Sequence, residues 1–256
     1  MVFPVLNGKT AIVTGSASGM GRTTALLFAK AKANVVVVDI NEEGGQKVVG
    51  EIKADGGEAI FIKTDISNSA NVAEMIDKTV EKYGKLDCAV NNAAIAPDGN
   101  SLVDFDEDYW DKLLSVDLKG TALCLKYELR QMIKQGTGGS IVNIASAIIN
   151  KVQPNSCNYT AAKCGVRGIT RIAAIENGIN QIRVNSVCPG SVETPMLFQY
   201  MEDRGIDPVQ YARETVALGR FAKPEEIAQA SLWLCSDAAS YVTGANFDID
   251  GGYSEL

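Results

Sequence analysis

Tyr159 and Lys163 stand four residues apart in Tyr159-Thr160-Ala161-Ala162-Lys163, within a stretch whose apolar residues recur with a helical period. On a helix, positions i and i+4 share one face, so a phenol and an ammonium would point into the same space. A tyrosine titrates near pH ~10 and is a poor base at neutrality. A neighbouring Lys⁺ favours the phenolate and is expected to lower that value, which would let Tyr159 take the proton of a hydroxyl group. Ser146 closes the apolar run 140–146 and could hydrogen-bond the same oxygen and position it. The chain contains no histidine. That removes every Ser-His or Cys-His nucleophilic mechanism and leaves proton chemistry to Tyr, Lys, Asp, Glu or Cys. Taken alone, a Y-x-x-x-K spacing is common on helix surfaces.

A second constellation lies near the N-terminus. Residues 14–21 read Thr-Gly-Ser-Ala-Ser-Gly-Met-Gly, a G-x-x-x-G-x-G pattern between an expected strand and an expected helix. Gly15 would permit the tight turn, Gly19 would let the backbone approach a pyrophosphate, and Gly21 would let the helix pack closely. The helix N-terminus would then offer free N–H groups and the positive end of its dipole to phosphates. Gly15, Ser18, Met20 and Gly21 are the candidate contacts of a dinucleotide here. Asp39 ends the second expected strand, 18 residues after Gly21, where a carboxylate can accept hydrogen bonds from the adenosine ribose hydroxyls. A 2′-phosphate would meet like charge there. Ile40, not Lys or Arg, follows Asp39, and Ser16, Ala17 and Ser18 are neutral. The pattern therefore predicts NAD in preference to NADP. The competing reading of Asp39 is a helix N-cap ahead of Glu42 and Glu43.

The elements that must hold these residues alternate along the chain. Strands are expected at 9–14, 34–39, 58–63, 86–91, 139–145, 181–188 and 245–249. Helices are expected at 19–32, 42–54, 69–83, 157–177 and 224–235, with two more over 105–135. Short unbroken apolar runs such as 35–38 suit parallel strands covered on both faces. Alternating strands and helices imply right-handed βαβ units. The expected fold is α/β: a single-domain, Rossmann-type, doubly wound parallel sheet with helices on both faces, spanning 1–256 and binding ligands at the carboxyl ends of its strands. Residues 191–221 are expected to be irregular and to cover the substrate. They carry Met196, Leu197, Phe198, Tyr200, Met201 and Tyr211, which would either exclude water from a reaction or simply pack two short lid helices. The remaining walls are expected from 95–99 and 147–153.

Composition narrows the class further. The 256 residues are 46% hydrophobic, enough for one large core, and carry a net charge of −7 with no basic stripe, which argues against a nucleic-acid partner. No run approaches the roughly 18 apolar residues that span a membrane. The first residues lack the basic and apolar regions of a signal peptide. Six cysteines form no C-x-x-C pair and are expected to be reduced and mostly buried in a cytoplasmic protein, with no metal site. Cys157 and Cys164, which flank the Tyr/Lys pair, are expected to serve helix packing.

In their order and spacing these motifs resemble the short-chain dehydrogenase/reductase family from about residue 8 to residue 252. The matching features are T-G-x-x-x-G-x-G at 14–21, the acidic end of strand two at Asp39, Asp65 after strand three, Asn91-Asn92-Ala93, Ser146, Tyr159 with Lys163, and Pro189-Gly190 with Thr194. The resemblance implies an NAD-dependent enzyme that interconverts a secondary alcohol and a ketone by hydride transfer, with Ser146, Tyr159 and Lys163 as catalytic residues. It also implies that Asp65 and Ile66 contact the adenine and that Asn92 and Ala93 lie along the riboses. Lys163 would hold the nicotinamide ribose, and Val192 and Thr194 would meet the carboxamide. The substrate is expected to be a small cyclic or steroid-like alcohol, and the assembly a homotetramer. Two other readings stand beside it: an NADPH-type ketone or 3-oxoacyl reductase, which Asp39 opposes, and a non-catalytic NAD-sensing regulator, which the intact Ser/Tyr/Lys set opposes. The chain departs from the family pattern at Ala94, where glycine is usual, and at Asp117, where asparagine often completes a proton relay. Asp117 preserves that role if the backbone carbonyl carries it. If the side chain carries it, a carboxylate near Lys163 alters the pH dependence.

Overall fold

The computed structural model describes residues 6–256. The expectation for the leading segment concerns residues 1–5 in part and lies to that extent outside the described residues. The valine run at 35–38 is fully covered on both faces, as central parallel strands require. It forms most of β2 (Asn34–Asp39), which lies between β1 (Thr10–Thr14) and β3 (Glu58–Lys63). Beyond β1 come β4 (Cys88–Asn91), β5 (Gly139–Ile144), β6 (Ile182–Pro189) and β7 (Asn246–Ile249). Every pairing is parallel, in the order β3-β2-β1-β4-β5-β6-β7. The winding reverses between β1 and β4, which opens a crevice at their carboxyl ends. Both edge strands carry charge, with Glu58 and Lys63 on β3 and Asp248 on β7, where it discourages edge pairing.

Helices cover both faces. On one side α1 (Gly19–Lys30), α2 (Glu42–Ala54) and a C-terminal helix, Pro224–Cys235, enclose Val13, Phe28, Val35, Val37, Ile52 and Leu232. On the other, α3 (Ser69–Tyr83) and the helices Thr121–Gln135 and Cys157–Asn177 enclose Ile12, Val36, Val38, Met75, Met132 and Ile141. In chain order the helices between these are α4 (Glu107–Leu114), α5 (Thr121–Gln135), α6 (Cys157–Asn177), α7 (Pro195–Glu202), α8 (Pro208–Thr215) and α9 (Pro224–Cys235). Prolines open α7, α8 and α9, where the missing N–H removes no helical bond.

Two elements differ from the sequence-based expectation. The two helices expected over 105–135 are joined without a break by a wider π-helical segment, Ser115–Gly120. Local widening of this kind accommodates an extra residue in the turn, and here it carries Asp117. The segment expected to be irregular contains α7 and α8, whose Met201 and Ala212 form a small core with Phe221 from the loop after α8. Ala94 is absent from the non-glycine residues with positive φ, so replacing glycine there strains nothing. Cys164 is exposed, which corrects the packing role expected for it. Among the described residues no helix is long and apolar enough to cross a membrane.

Candidate active site

The glycine loop is fastened to the sheet on three sides. The Ser16 hydroxyl donates to the Val13 carbonyl (2.7 Å) and accepts from the Val38 N–H (2.9 Å), binding the loop to β2. The Thr14 hydroxyl accepts from the N–H groups of Asn92 (3.0 Å) and Ala93 (3.1 Å), binding it to β4. The Asn92 amide donates to the carbonyls of Thr14 (3.0 Å) and Gly15 (3.2 Å). Gly15 has φ +65°, and a Cβ there would lie 2.7 Å from the Ala93 Cα, so both its conformation and its surroundings demand glycine. At Gly21 a Cβ would fall on the Gly15 carbonyl oxygen. The close packing at Gly21 is thus against the loop itself rather than the sheet. Ser18 caps α1 without a side-chain bond, and the first turn holds no acidic residue. The N-terminal N–H groups of α1 consequently face the crevice with a positive dipole end, which suits a phosphate.

Asp39 is not a helix cap; Asn41 caps α2, accepting from the Gly44 N–H at 3.1 Å. The Asp39 carboxylate instead accepts from the Ala17 N–H and the Asn41 N–H, both at 2.9 Å. Those bonds hold it at the rim of the crevice beside Ile40, which is 67% exposed. Asp65 accepts from the Ser67 N–H (2.9 Å) and hydroxyl (2.7 Å), and Ile66 is buried beneath it.

At the far end of the crevice, α6 presents Tyr159 and Lys163 together. The Lys163 Nζ lies 5.2 Å from the centre of the Tyr159 ring and donates to the Ile144 carbonyl at 3.3 Å. It also faces the Asp117 Oδ2 at 3.3 Å. Asp117 is fully buried. Its Oδ1 accepts from the Ile95 N–H (2.9 Å), and its main-chain carbonyl accepts from the Thr121 hydroxyl (2.8 Å). The Asp117 carbonyl is therefore engaged within its own helix, and it is the side chain that reaches Lys163.

These contacts decide the proton affinities. Burial raises the Asp117 carboxyl above the usual carboxylate range, against the pull of Lys163 and the Ile95 N–H. Burial alone would lower Lys163, but Asp117 and Tyr159 opposite it bring the net shift upward. For Tyr159, burial raises the phenol, Lys163 lowers it, Asp117 raises it, and Ser146 lowers it; the net direction is up. The expected lowering by Lys163 is present but is outweighed by burial together with the Asp117 charge. Ser146 lies two residues beyond β5, at the start of the short turn Ala147–Ile149, and accepts weakly from the Ile148 N–H at 3.3 Å.

One continuous cavity of about 800 Å³ joins these parts. Gly15, Ser18, Met20, Asp39, Asp65, Ile66, Asn92, Ser146, Tyr159, Lys163, Val192 and Thr194 all line it; Gly21 stands behind the loop and does not. Thr194 also caps α7, accepting from the Leu197 N–H at 3.3 Å. Met196, Leu197, Tyr200, Met201 and Tyr211 line the cavity from the lid, so the lid helices both pack on each other and wall the site. Tyr253, near the C-terminus, lines it as well. No motif marks that residue; only the folded chain brings it there. The glycine cradle, the uncapped α1 N-terminus and the ring of ribose-height acceptors fit a dinucleotide along the crevice, with the Ser/Tyr/Lys group at its other end.

The comparisons agree with this geometry. The family model described as enoyl-(acyl carrier protein) reductase matches residues 15–254. The short chain dehydrogenase/reductase astE of Aspergillus oryzae is 50% identical over 250 residues, covering 97% of this chain and 96% of that protein. The 2,5-dichloro-2,5-cyclohexadiene-1,4-diol dehydrogenase of Sphingobium indicum is 44% identical over 252 residues, covering 98% and 99%. The structure of 3-ketoacyl-(acyl-carrier-protein) reductase from Brucella melitensis complexed with NADH superposes with a TM-score of 0.90 at 34% identity, covering 97% and 99%. The chain belongs to the short-chain dehydrogenase/reductase family. It is an oxidoreductase of the nicotinamide-dependent kind.

Proposed function

We propose that this protein is an NAD-dependent dehydrogenase that interconverts a cyclic secondary alcohol and its ketone. The observation that carries the reading is the convergence of Ser146, Tyr159 and Lys163 with Asp39 on one cavity. When bound, the oxidised nicotinamide supplies a hydride acceptor and a positive charge beside the phenol. Tyr159 takes the carbinol proton in oxidation and returns it in reduction. Ser146 donates to the same oxygen and fixes its orientation. Lys163, held by Ile144 and Asp117, keeps a positive charge under the Tyr159 ring. Gly15, Ser18 and Met20 form the pyrophosphate cradle with Gly21 packed behind it, Asp65, Ile66 and Asn92 line the adenosine side, and Val192 and Thr194 stand at the carboxamide. Asp39 selects NAD, because a 2′-phosphate would meet its carboxylate, and Ile40 rather than Lys or Arg follows it. The ring-alcohol class is supported by the apolar lid and by the 44%-identical cyclohexadienediol dehydrogenase. A homotetramer in the cytoplasm, acting on a small molecule, completes the proposal.

The test is absorbance at 340 nm with purified protein, NAD⁺ and a panel of ring and open-chain secondary alcohols. Turnover should favour ring alcohols and fall by at least about 10²-fold in Tyr159→Phe. The double variant Asp39→Ala with Ile40→Arg should shift the preference from NAD⁺ toward NADP⁺. Unaltered cofactor kinetics in that variant would defeat the role of Asp39. NAD binding without turnover of any alcohol or ketone would favour a sensing role.

A further inference from the structure

The lid end of the cavity is not uniformly apolar. Three polar side chains reach it from segments distant in sequence: Gln153 from the loop before α6, Tyr211 from α8, and Tyr253 from the C-terminal turn. The Gln153 Nε2 donates to the Tyr211 hydroxyl oxygen at 2.8 Å. Tyr211 thus serves as acceptor in this pair, and its own O–H proton has no acceptor among the described residues. Tyr253 is 5% exposed, and its hydroxyl has only a long contact to the Lys151 carbonyl at 3.4 Å. Burial and the neighbouring Tyr211 and Tyr200 phenols push Tyr253 up to about 12, so it stays protonated as a donor throughout the neutral range. A cavity that only excluded water from a hydrocarbon ring would leave the Tyr211 donor unpaired once the ring displaced solvent, and an unpaired buried donor is costly. In largely apolar pockets, a few placed polar groups are what fix a ligand's orientation.

We infer that the substrate carries a second oxygen, a hydroxyl or keto group on the same ring system away from the reacting carbon, and that Tyr211, oriented by Gln153 and flanked by Tyr253, donates to it. The inference rests on the proposed ring-alcohol reading of the cavity. With one ring oxygen at Ser146 and Tyr159 and the other at Tyr211, the ring would be held in one orientation, with a single one of its two oxygen-bearing carbons at the Ser146/Tyr159 end. The polar trio thereby determines both which ring is accepted and which of its carbons reacts. A site built to pair a substrate hydroxyl discriminates against the analogue that lacks it.

The experiment compares kcat/KM for cyclohexanol with those for the cis and trans isomers of 1,2-, 1,3- and 1,4-cyclohexanediol, using NAD⁺. At least one diol should exceed cyclohexanol by about tenfold or more, and the diol-to-cyclohexanol ratio should fall about tenfold in Tyr211→Phe and in Gln153→Leu. Because the ratio is taken within each preparation, a loss of folded enzyme cancels. If the trio merely latches the lid, both substrates lose kcat/KM alike and the ratio stays put, which overturns the inference; so does a wild-type enzyme with no preference for any diol. If no ring alcohol is turned over, the proposed function fails, and the subsite is then read by binding alone. The rise in melting temperature of the NADH-loaded protein should be larger with 4-hydroxycyclohexanone than with cyclohexanone, and the difference should vanish in Tyr211→Phe. Equal shifts would overturn the inference by this route as well.

Discussion

Asp117 is the residue whose chemistry sets this site apart. A buried carboxylate facing Lys163 holds the ammonium charged, yet it cancels part of the field that Lys163 exerts on Tyr159. The groups facing that phenol are Lys163 on the same helix, Ser146 from the turn after β5, Asp117 from the π-helical segment and Cys188 from β6. Cys188 is itself pushed up to about 12, chiefly by burial, so it stays a neutral thiol and leaves the balance to Asp117 and Lys163. In Asp117→Asn the amide oxygen can still accept from the Ile95 N–H, while the negative charge is gone. Tyr159 then loses a neighbour that raises it, and its pKa falls. Alcohol oxidation uses the deprotonated phenol, so the acidic limb of kcat/KM against pH should move to lower pH in the variant. The removal of a purely structural contact would lower kcat or stability without moving that limb. An unmoved limb would show that the carboxylate has no electrostatic part in the reaction.

At the scale of elements, a buried polar seam joins β4, β5, α5 and α6 behind the site. The Asn91 amide donates to Glu128 Oε2 and to Asn143 Oδ1, both at 3.0 Å, and the Asn143 amide donates to the Thr170 hydroxyl at 2.9 Å. Glu128 is fully buried and its Oε1 has no hydrogen-bond partner. Burial raises it from 4.5 to about 7, with Asn91 opposing. Between those values the folded chain holds a proton that the unfolded chain has released, so stability falls as pH rises. Below 4.5 both states are protonated and the cost is absent; above 7 it is fully present, at about 3 kcal/mol. Glu128→Gln keeps an acceptor for Asn91 and cannot ionise. Its melting temperature should exceed that of the wild type at pH 8, and the two should converge as pH falls toward 5. A constant gap across that range would show that Glu128 ionisation is not what the seam opposes. Such seams also mark what is legible in a sequence. The glycine loop, Asp39 and the Tyr159/Lys163 pair each need only local spacing at one element junction, and the valine run declares a buried strand by itself. The π-helical segment is silent, because the apolar period on either side is the same and only the extra residue in the turn aims Asp117 at Lys163. Tyr253 lies 94 residues beyond Tyr159, and its meeting with Gln153 and Tyr211 depends on β7 docking beside β6, which no local pattern encodes.

At the scale of the whole molecule, the outer face of α6 leaves an apolar stripe uncovered. Ile172 and Ile175 on α6 and Ile179 in the turn that follows it recur at three- and four-residue spacing, with exposures of 50%, 77% and 87%, and Ile133 at the end of α5 is also exposed. A monomer gains nothing from holding this stripe in water, whereas burying each side chain against another copy is worth about 1.5–3 kcal/mol. The net charge of −7 repels like copies at long range, and that repulsion is screened within roughly 8 Å at physiological salt. Short-range apolar contact should therefore prevail, with association weakened at low ionic strength. Light scattering on the purified protein should give fourfold the mass of one chain at physiological salt. Ile175→Glu, alone or with Ile179→Glu, places a charge in the middle of the stripe without disturbing the core on the opposite side of α6. That variant should keep its circular dichroism spectrum and its NADH binding while its mass falls to that of a dimer or a monomer. An unchanged mass in the double variant would place the assembly contact elsewhere, and a wild type that scatters as a single chain would leave the stripe exposed in solution and refute the tetramer.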